Sequence, residues 1–206
     1  MSQFFRIHPV NPQSRLIQKA VEILSNGGVV VYPTDAAYAL GCHIGDKKAL
    51  DKIRAIRGLK RGHYFTLVCR DLSELSSYAK VTNSVYRHIK SATPGPYTFI
   101  LPASRQVPRR IVNEKHKTIG LRVPDNKICR KLLEELGEPI MSSTLILPED
   151  KYPLTDPLKI RNLMEKQVDL VIDGGQCGFD TTTVINFEDD YPVIVREGLG
   201  DTSKFL

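Results

Sequence analysis

The sequence predicts an α/β domain of the α+β type, in which helices pack around a mixed β-sheet. Apolar residues at helical spacing alternate with short apolar or alternating runs, but not as a regular strand–helix–strand repeat. The chain has 206 residues, 41% of them hydrophobic, which is enough to bury a sizeable core. No linker, repeat or low-complexity segment divides the chain, so we expect residues 1–206 to form one domain.

The first elements are a helix and a buried strand. Residues 14–24 carry five apolar side chains at helical spacing, and Asn26-Gly27-Gly28 ends that helix because these residues tolerate left-handed backbone. Residues 29–32 form a strand that Pro33 must end, since proline has no N–H donor. Asp46 is placed to cap a second helix. The core-facing residues of this helix are Leu50, Ile53 and Ile56.

The middle of the chain alternates between the two kinds of element. Thr93-Pro94-Gly95-Pro96 must be a turn, because two prolines and a glycine prevent regular pairing. Helices are predicted over Leu72–Tyr78 and 84–90, and strands over 65–69 and 97–101.

Residues 118–123 form the clearest strand. Alternation places Ile119, Leu121 and Val123 on one face, and Thr118, Gly120 and Arg122 on the other. A guanidinium beside a hydroxyl and bare backbone suits an anionic ligand. The alternative is a solvent-facing surface on which Arg122 pairs with a nearby acid.

The last part of the chain continues the mixed pattern. Pro124-Asp125 is predicted to start a helix that Gly137 closes, and Ser142 and Thr144 share one face of the next strand. The remaining predicted elements are strands over 140–146, 168–172, Thr183–Asn186 and Val193–Arg196, and a helix over 158–166.

Thr34 and Asp35 stand where an open sheet usually meets its ligand, beyond the end of a strand. The alternative is an ordinary turn in which Asp35 bonds its own backbone.

Charge is distributed unevenly along the chain. The net charge is +6, and two segments, residues 52–61 and 80–117, together hold thirteen basic residues against one acid, while acids collect elsewhere. Such segments attract phosphates of a nucleotide or of RNA. The alternative is a solvated basic face that has no partner.

Several classes of protein are disfavoured. The four cysteines lie far apart and the five histidines have no metal-ligand spacing, which argues against a zinc site and a disulfide framework. The common phosphate loops and hydrolase motifs are missing. With no signal-like or membrane-length apolar run, we expect a cytoplasmic protein without a membrane partner or a dedicated metal site.

Five short motifs carry a resemblance. In this order they are similar to motifs of the YrdC/YciO family, whose characterised members make threonylcarbamoyl-AMP. The motifs are Tyr32-Pro33-Thr34-Asp35-Ala36-Ala37-Tyr38-Ala39-Leu40-Gly41-Cys42, Pro94-Gly95-Pro96-Tyr97-Thr98, Thr118-Ile119-Gly120-Leu121-Arg122-Val123-Pro124, Thr182-Thr183-Val184-Ile185 and Val195-Arg196-Glu197-Gly198.

The resemblance implies a twisted mixed sheet with a basic concave face. It implies ATP, threonine and bicarbonate as substrates of an adenylate-forming nucleotidyltransferase that serves tRNA threonylcarbamoylation, with Mg²⁺ carried by the nucleotide. Double-stranded RNA or tRNA is implied as a partner.

Site residues follow from the same resemblance. Thr34, Arg122 and Thr182 would hold the amino acid, and Arg122 would meet its carboxylate. The implied nucleotide contacts are Arg57, Lys60, Arg61, Thr118, Thr144 and Arg196. No catalytic residue is assigned.

Two positions depart from the family pattern, as is typical of the YciO branch. The family's Lys-x-Arg pair is Arg57-Gly58-Leu59 here, so Lys60 or Arg61 would have to supply the second cation. The family's Ser-x-Asn is Thr144-Leu145-Ile146. Losing a charge-assisted donor costs about 1.5–3 kcal/mol per bond.

Three functions stay open on the sequence. The first is an adenylate-forming enzyme of the family, with the family's acyl substrate or an altered one. The second is a non-catalytic protein that binds nucleotide or double-stranded RNA. The third is another small-molecule enzyme, since a fold does not fix chemistry.

Overall fold

A computed structural model describes residues 1–59 and 65–205 and joins the ten strands found there in one mixed sheet. The strand order is β1-β8-β2-β3-β7-β4-β6-β5-β9-β10, with parallel pairs β1/β8, β8/β2, β4/β6 and β5/β9 and antiparallel pairing elsewhere. The strands are β1 Gln3–Arg6, β2 Val30–Tyr32, β3 Ala39–His43, β4 Thr66–Val68, β5 Tyr97–Pro102, β6 Thr118–Arg122, β7 Ile140–Thr144, β8 Leu170–Asp173, β9 Thr183–Asn186 and β10 Val193–Arg196.

Helices pack on this sheet and bury two apolar clusters against it. The helices of the described residues are α1 Ser14–Ser25, α2 Lys47–Arg57, α3 Leu72–Tyr78, α4 Asn83–Ala92, α5 Lys127–Leu136 and α6 Pro157–Met164, with short 3-10 turns at Arg109–Ile111 and Thr202–Phe205. Within that part of the chain, none of the helices has the length and apolar character needed to span a bilayer.

Local signals explain where the helices begin and end. The Asp46 carboxylate accepts a hydrogen bond from the Ala49 N–H at 2.9 Å, which confirms the predicted cap of α2. Gly58 and Gly137 end α2 and α5 with positive φ, a conformation that glycine adopts without strain. The prediction that Pro124-Asp125 starts α5 was wrong, because Asn126 is the capping residue.

The element types predicted between residues 14 and 196 are confirmed, with small shifts of the ends. The strand predicted over 140–146 ends at Thr144, and the one predicted over 168–172 begins at Leu170. The strands β1 and β3 were not predicted. β3 is built from alanine, leucine, glycine, cysteine and histidine, which do not give a strand signal.

The strand β6 lies near the middle of the sheet, between β4 and β5. A Cβ at Gly120 would lie 3.1 Å from Thr66 Oγ1 and 3.3 Å from the Phe65 carbonyl oxygen, so a side chain would be crowded at this point. Because residue 120 is glycine, the face that carries Gly120 and Arg122 has no side chain at this position, between the side chains of Thr66 and Thr98. This face forms the floor of the cavity described next.

Candidate functional site

A cavity of about 590 Å³ lies on the face of the sheet that carries Gly120 and Arg122. Its floor comes from seven neighbouring strands, in the order β3, β7, β4, β6, β5, β9 and β10. The volume lies in the range of small-molecule sites. Its polar lining consists of Arg57, Thr66, Thr98, Arg122, Ser142, Ser143, Thr144, Thr181, Thr182, Asn186 and Arg196.

The charge of this cavity has one sign. Arg57, Arg122 and Arg196 contribute three guanidinium groups, and the lining found in residues 1–59 and 65–205 contains no aspartate or glutamate. The other polar lining groups are hydroxyls and one amide. A wall of this composition attracts anions and offers them many hydrogen-bond donors.

Arg122 is held at one end of its guanidinium. The residue is 7% exposed, its Nη2 contacts the Asp35 carboxylate, and Nη2 also donates to Thr34 Oγ1 at 3.3 Å. The second oxygen of Asp35 accepts a hydrogen bond from the Asp125 N–H at 2.9 Å. In the described part of the chain, the buried Nε of Arg122 has no partner.

This geometry answers two questions that the sequence left open. Arg122 does pair with an acid, but inside the cavity wall and not on a solvent-facing surface. Asp35 bonds Arg122 and the backbone of residue 125, so the alternative of an isolated turn was wrong. A buried donor without a partner is costly.

Thr34 lies behind the cavity wall. Its hydroxyl donates to the Ala37 carbonyl at 2.6 Å and accepts from the Ala36 N–H at 3.2 Å, so it shapes the turn after β2. Cys177 Sγ lies 3.7 Å from the Thr34 carbonyl oxygen. Burial raises the pKa of the Cys177 thiol to about 11, so this side chain is protonated at neutral pH and is a poor nucleophile.

Arg57 reaches from the end of α2 to the end of β7. Its Nε donates to Ser143 Oγ at 3.2 Å, and its Nη1 donates to the Ile146 carbonyl. Burial lowers the pKa of Arg57 below its usual value. The Ile146 side chain lines the cavity at the position where the family has an amide.

The second cation of the family pattern has no counterpart among the described residues. Leu59 packs against the apolar core and does not line the cavity. Lys60 and Arg61, the predicted substitutes, lie outside the described residues.

Thr182 and Arg196 form one hydrogen-bonded group at the opposite side of the cavity. Arg196 donates to the Thr182 carbonyl from Nε at 3.1 Å and from Nη2 at 2.8 Å. Its Nη2 also lies 3.2 Å from Thr182 Oγ1, which is 2.8 Å from Thr98 Oγ1. Desolvation lowers the pKa of Arg196. Thr182, which the resemblance assigns to the amino acid, is thus in direct contact with Arg196, which the resemblance assigns to the nucleotide.

The structure brings most of the predicted site residues together. Thr118 is 1% exposed and lies on the Arg122 face of β6, but it is not part of the lining, and its Oγ1 has no partner in the described part. The lining residues predicted from the resemblance are Arg57, Arg122, Thr144, Thr182 and Arg196.

Five hydroxyl residues of the lining were not predicted as contacts. The face shared by Ser142 and Thr144 was a usable signal, and Thr98 stands in the Pro-Gly-Pro-x-Thr motif. Thr66 lies in a strand of only three residues, and the alternation of β7 places Ser143 on the opposite face from Ser142 and Thr144. The sequence pattern therefore did not indicate that either residue lines the cavity. The five residues are Thr66, Thr98, Ser142, Ser143 and Thr181.

A second hollow, a wide groove of about 710 Å³, lies near the starts of α3 and β5 and along α5. Its arginines, Arg70 and Arg130, stand beside the acids Asp71 and Glu134, so its charge is mixed. No group of three histidine, cysteine or acidic side chains in the described part is arranged to hold a metal ion. The smaller, one-signed cavity is therefore the candidate site.

Comparisons with known proteins agree with the motifs. The sequence profile of Sua5/YciO/YrdC, described as telomere recombination, matches residues 22–198. The chain is 58% identical to Escherichia coli YciO over the full length of both, and the crystal structure of that protein superposes with a TM-score of 0.97.

The relatives that are named for an activity are more distant. A putative threonylcarbamoyl-AMP synthase of Methanocaldococcus jannaschii is 29% identical, covering 96% of this chain and 94% of the relative. The structure of Pyrococcus abyssi Sua5 complexed with L-threonine has a TM-score of 0.87 and 26% identity, over 96% of this chain and 58% of that one.

Proposed function

We propose a function from one premise, that the chain belongs to the Sua5/YciO/YrdC family. The proposed function is that of an adenylate-forming enzyme that uses ATP, threonine and bicarbonate, releases pyrophosphate and supplies threonylcarbamoyl-AMP for tRNA modification. Such an enzyme would work in the cytoplasm, with residues 1–206 acting as one domain.

The observation that carries this proposal is the one-signed cavity, with three guanidinium groups and no acid in its described lining. ATP and an amino acid bring a triphosphate and a carboxylate, and both need cationic or hydrogen-bonding partners. Because adenylate formation depends mainly on positioning and on neutralising phosphate charge, it needs no nucleophile from the protein.

Roles can be assigned to the lining. Arg122, which lines the cavity, is proposed to bind the amino-acid carboxylate, and Thr182 to support the same substrate. Arg57, Thr144 and Arg196 are proposed to bind the nucleotide. Mg²⁺ would enter with the phosphates, which is consistent with a lining that offers no carboxylate, since nucleotide-bound magnesium needs few protein ligands.

Pyrophosphate release tests this function directly. With ATP, threonine and bicarbonate, we expect the protein to release pyrophosphate faster than the Arg122→Ala variant, and only when all three substrates are present. Labelled ATP makes the measurement sensitive to slow turnover. Equal rates in folded wild-type protein and Arg122→Ala would contradict the proposal.

RNA binding is a second candidate, supported by a specific surface. Residues 105–117 expose five cations against one acid, and they lie outside the cavity. The five cations are Arg105, Arg109, Arg110, Lys115 and Lys117. An exposed stretch of this kind fits the backbone phosphates of double-stranded RNA or tRNA, and not base-specific contacts.

Salt dependence tests this second candidate. If each of the five cations neutralises one phosphate, the logarithm of the RNA association constant should fall with the logarithm of salt with a slope of about −3.5 to −4.5. Replacing Arg105 and Arg109 by serine should make the slope shallower by about 1.4–1.8. The matched control is Arg15→Ser with Lys19→Ser on the exposed face of α1. A slope that neither pair changes would argue against this surface.

A further inference from the structure

Directly after β10 the chain turns back onto the sheet, and one buried hydroxyl holds this segment, the return turn of residues 197–201. Thr183 of β9 is fully buried. Its Oγ1 donates to the Gly200 carbonyl at 2.6 Å and accepts from the Gly198 N–H at 3.0 Å. One side chain therefore satisfies a backbone donor and a backbone acceptor of the return turn.

The return turn lies tightly against the start of β9. A Cβ at Gly198 would lie 2.3 Å from the Thr181 carbonyl oxygen, so backbone packs directly on backbone at this point. The Leu199 N–H donates to the same carbonyl oxygen at 2.9 Å. A shift of the turn would leave the buried Thr183 hydroxyl without its partners, which is costly.

Arg196 lies two residues before Gly198, and its guanidinium is bound at one edge. Nε and Nη2 both donate to the Thr182 carbonyl, at 3.1 and 2.8 Å. Nη1 makes no hydrogen bond within the described part of the chain, and Arg196 lines the cavity, so Nη1 is available to a ligand.

The hydroxyl of Thr183 acts on both sides of this contact. The Thr182 carbonyl belongs to the peptide bond that joins Thr182 to Thr183, and the backbone that carries Arg196 is anchored through Gly198. Fixing the carbonyl and the backbone together fixes the direction of the guanidinium. An arginine that is held in this way loses less side-chain freedom when an anion binds.

We propose that Thr183 is a positioning residue for Arg196. It contacts no ligand itself, but its hydroxyl keeps the return turn on β9 and so keeps the Arg196 guanidinium on the Thr182 carbonyl, with Nη1 left for an anion. The anion is a phosphate group of the nucleotide, so this inference rests on the proposed function.

A double-mutant cycle with ATP tests the proposal. Thr183→Val keeps the shape of the side chain and removes the hydroxyl. In calorimetric titration we expect Thr183→Val to weaken ATP binding about fivefold and Arg196→Ala to weaken it about 10- to 100-fold. The double variant should equal Arg196→Ala, since Thr183 acts only through Arg196. Thr183→Ser keeps the hydroxyl and should bind ATP within about twofold of the wild-type protein.

The matched control is Tyr97→Phe. Tyr97 holds the same return turn at its far end, where its hydroxyl donates to the Asp201 carbonyl at 3.1 Å. Removing that hydroxyl leaves both bonds of Thr183 in place. Tyr97→Phe should therefore lower the melting temperature and leave the affinity for ATP unchanged.

Hydrogen exchange gives a second test that needs no variant of Thr183, so it decides the question even if Thr183→Val does not fold. Because binding at Arg196 and order in the return turn are linked, ATP should slow exchange of the Gly198 and Leu199 amides in wild-type protein but not in Arg196→Ala.

Three results would make this inference wrong while the proposed function stands. They are an unchanged affinity for ATP in folded Thr183→Val, effects of Thr183→Val and Arg196→Ala that multiply as independent changes, and equal slowing of exchange by ATP with and without the Arg196 side chain. If the wild-type protein does not bind ATP, both the inference and the proposed function are wrong.

Discussion

Asp35→Ala is expected to lower the free energy of unfolding by about 3–5 kcal/mol, the usual cost of removing one partner of a buried ion pair. Arg122 is 7% exposed, and Asp35 is its only acidic contact in the described part of the chain. The substitution would leave that guanidinium charge uncompensated and would also remove the acceptor of the Asp125 N–H. Urea unfolding followed by circular dichroism measures the change.

Two controls separate this cost from that of any lost surface charge. Glu134→Ala removes the partner of Lys131 in an exposed pair at 2.7 Å, and should cost less than about 1 kcal/mol. Asp35→Ala combined with Arg122→Met removes both charges, and should be more stable than Asp35→Ala alone. A loss below about 1 kcal/mol in Asp35→Ala would mean that the charge of Arg122 is compensated in another way.

Helix ends were predictable because their causes are local. Asp46 caps the helix that follows it, and Gly137 takes a positive φ directly after the last turn of α5. The start of α5 shows the limit of this reasoning. Asp125 and Asn126 are both good caps; Asn126 has that role, and the Asp125 N–H donates to Asp35, 90 residues earlier.

Strands were predictable only where burial gives them an apolar or alternating pattern. The strand β6 has such a pattern, and its two faces are arranged as predicted. The strand β3 lacks it, because its glycine makes room for Tyr32 and its small residues fit between neighbouring strands. Its composition therefore reflects packing partners that lie far away in the sequence.

The site could be predicted as a set of residues but not as a set of contacts. The motifs place Arg122, Thr182 and Arg196 in one family pattern, and the structure brings all three into one cavity. The bond between Arg57 and the Ile146 carbonyl involves backbone, so no side-chain pattern indicates it. The pairing of Asp35 with Arg122 depends on how the turn after β2 meets the end of β6, which the sequence does not specify.

Ile146→Asn is expected to raise the rate of pyrophosphate release by about 10- to 100-fold. Ile146 lines the cavity beside Ser143 and Thr144, where the resemblance expects an amide that donates to the nucleotide. A hydrogen bond to a charged group contributes about 1.5–3 kcal/mol, which gives this range of rates if the bond forms in the transition state. The contact of Arg57 uses the backbone carbonyl of residue 146, so the substitution leaves its acceptor in place.

The control for this variant is Ile146→Leu, which keeps an apolar side chain of the same volume and should leave the rate unchanged. Rates measured at saturating ATP show whether the new amide acts in the transition state, since a contact made equally in the ground state lowers only KM. If Ile146→Asn folds, binds ATP more tightly and still releases no more pyrophosphate, then the missing amide is not what limits this chain. The cause would then lie with the second cation, because Leu59 faces the core where the family pattern has an arginine.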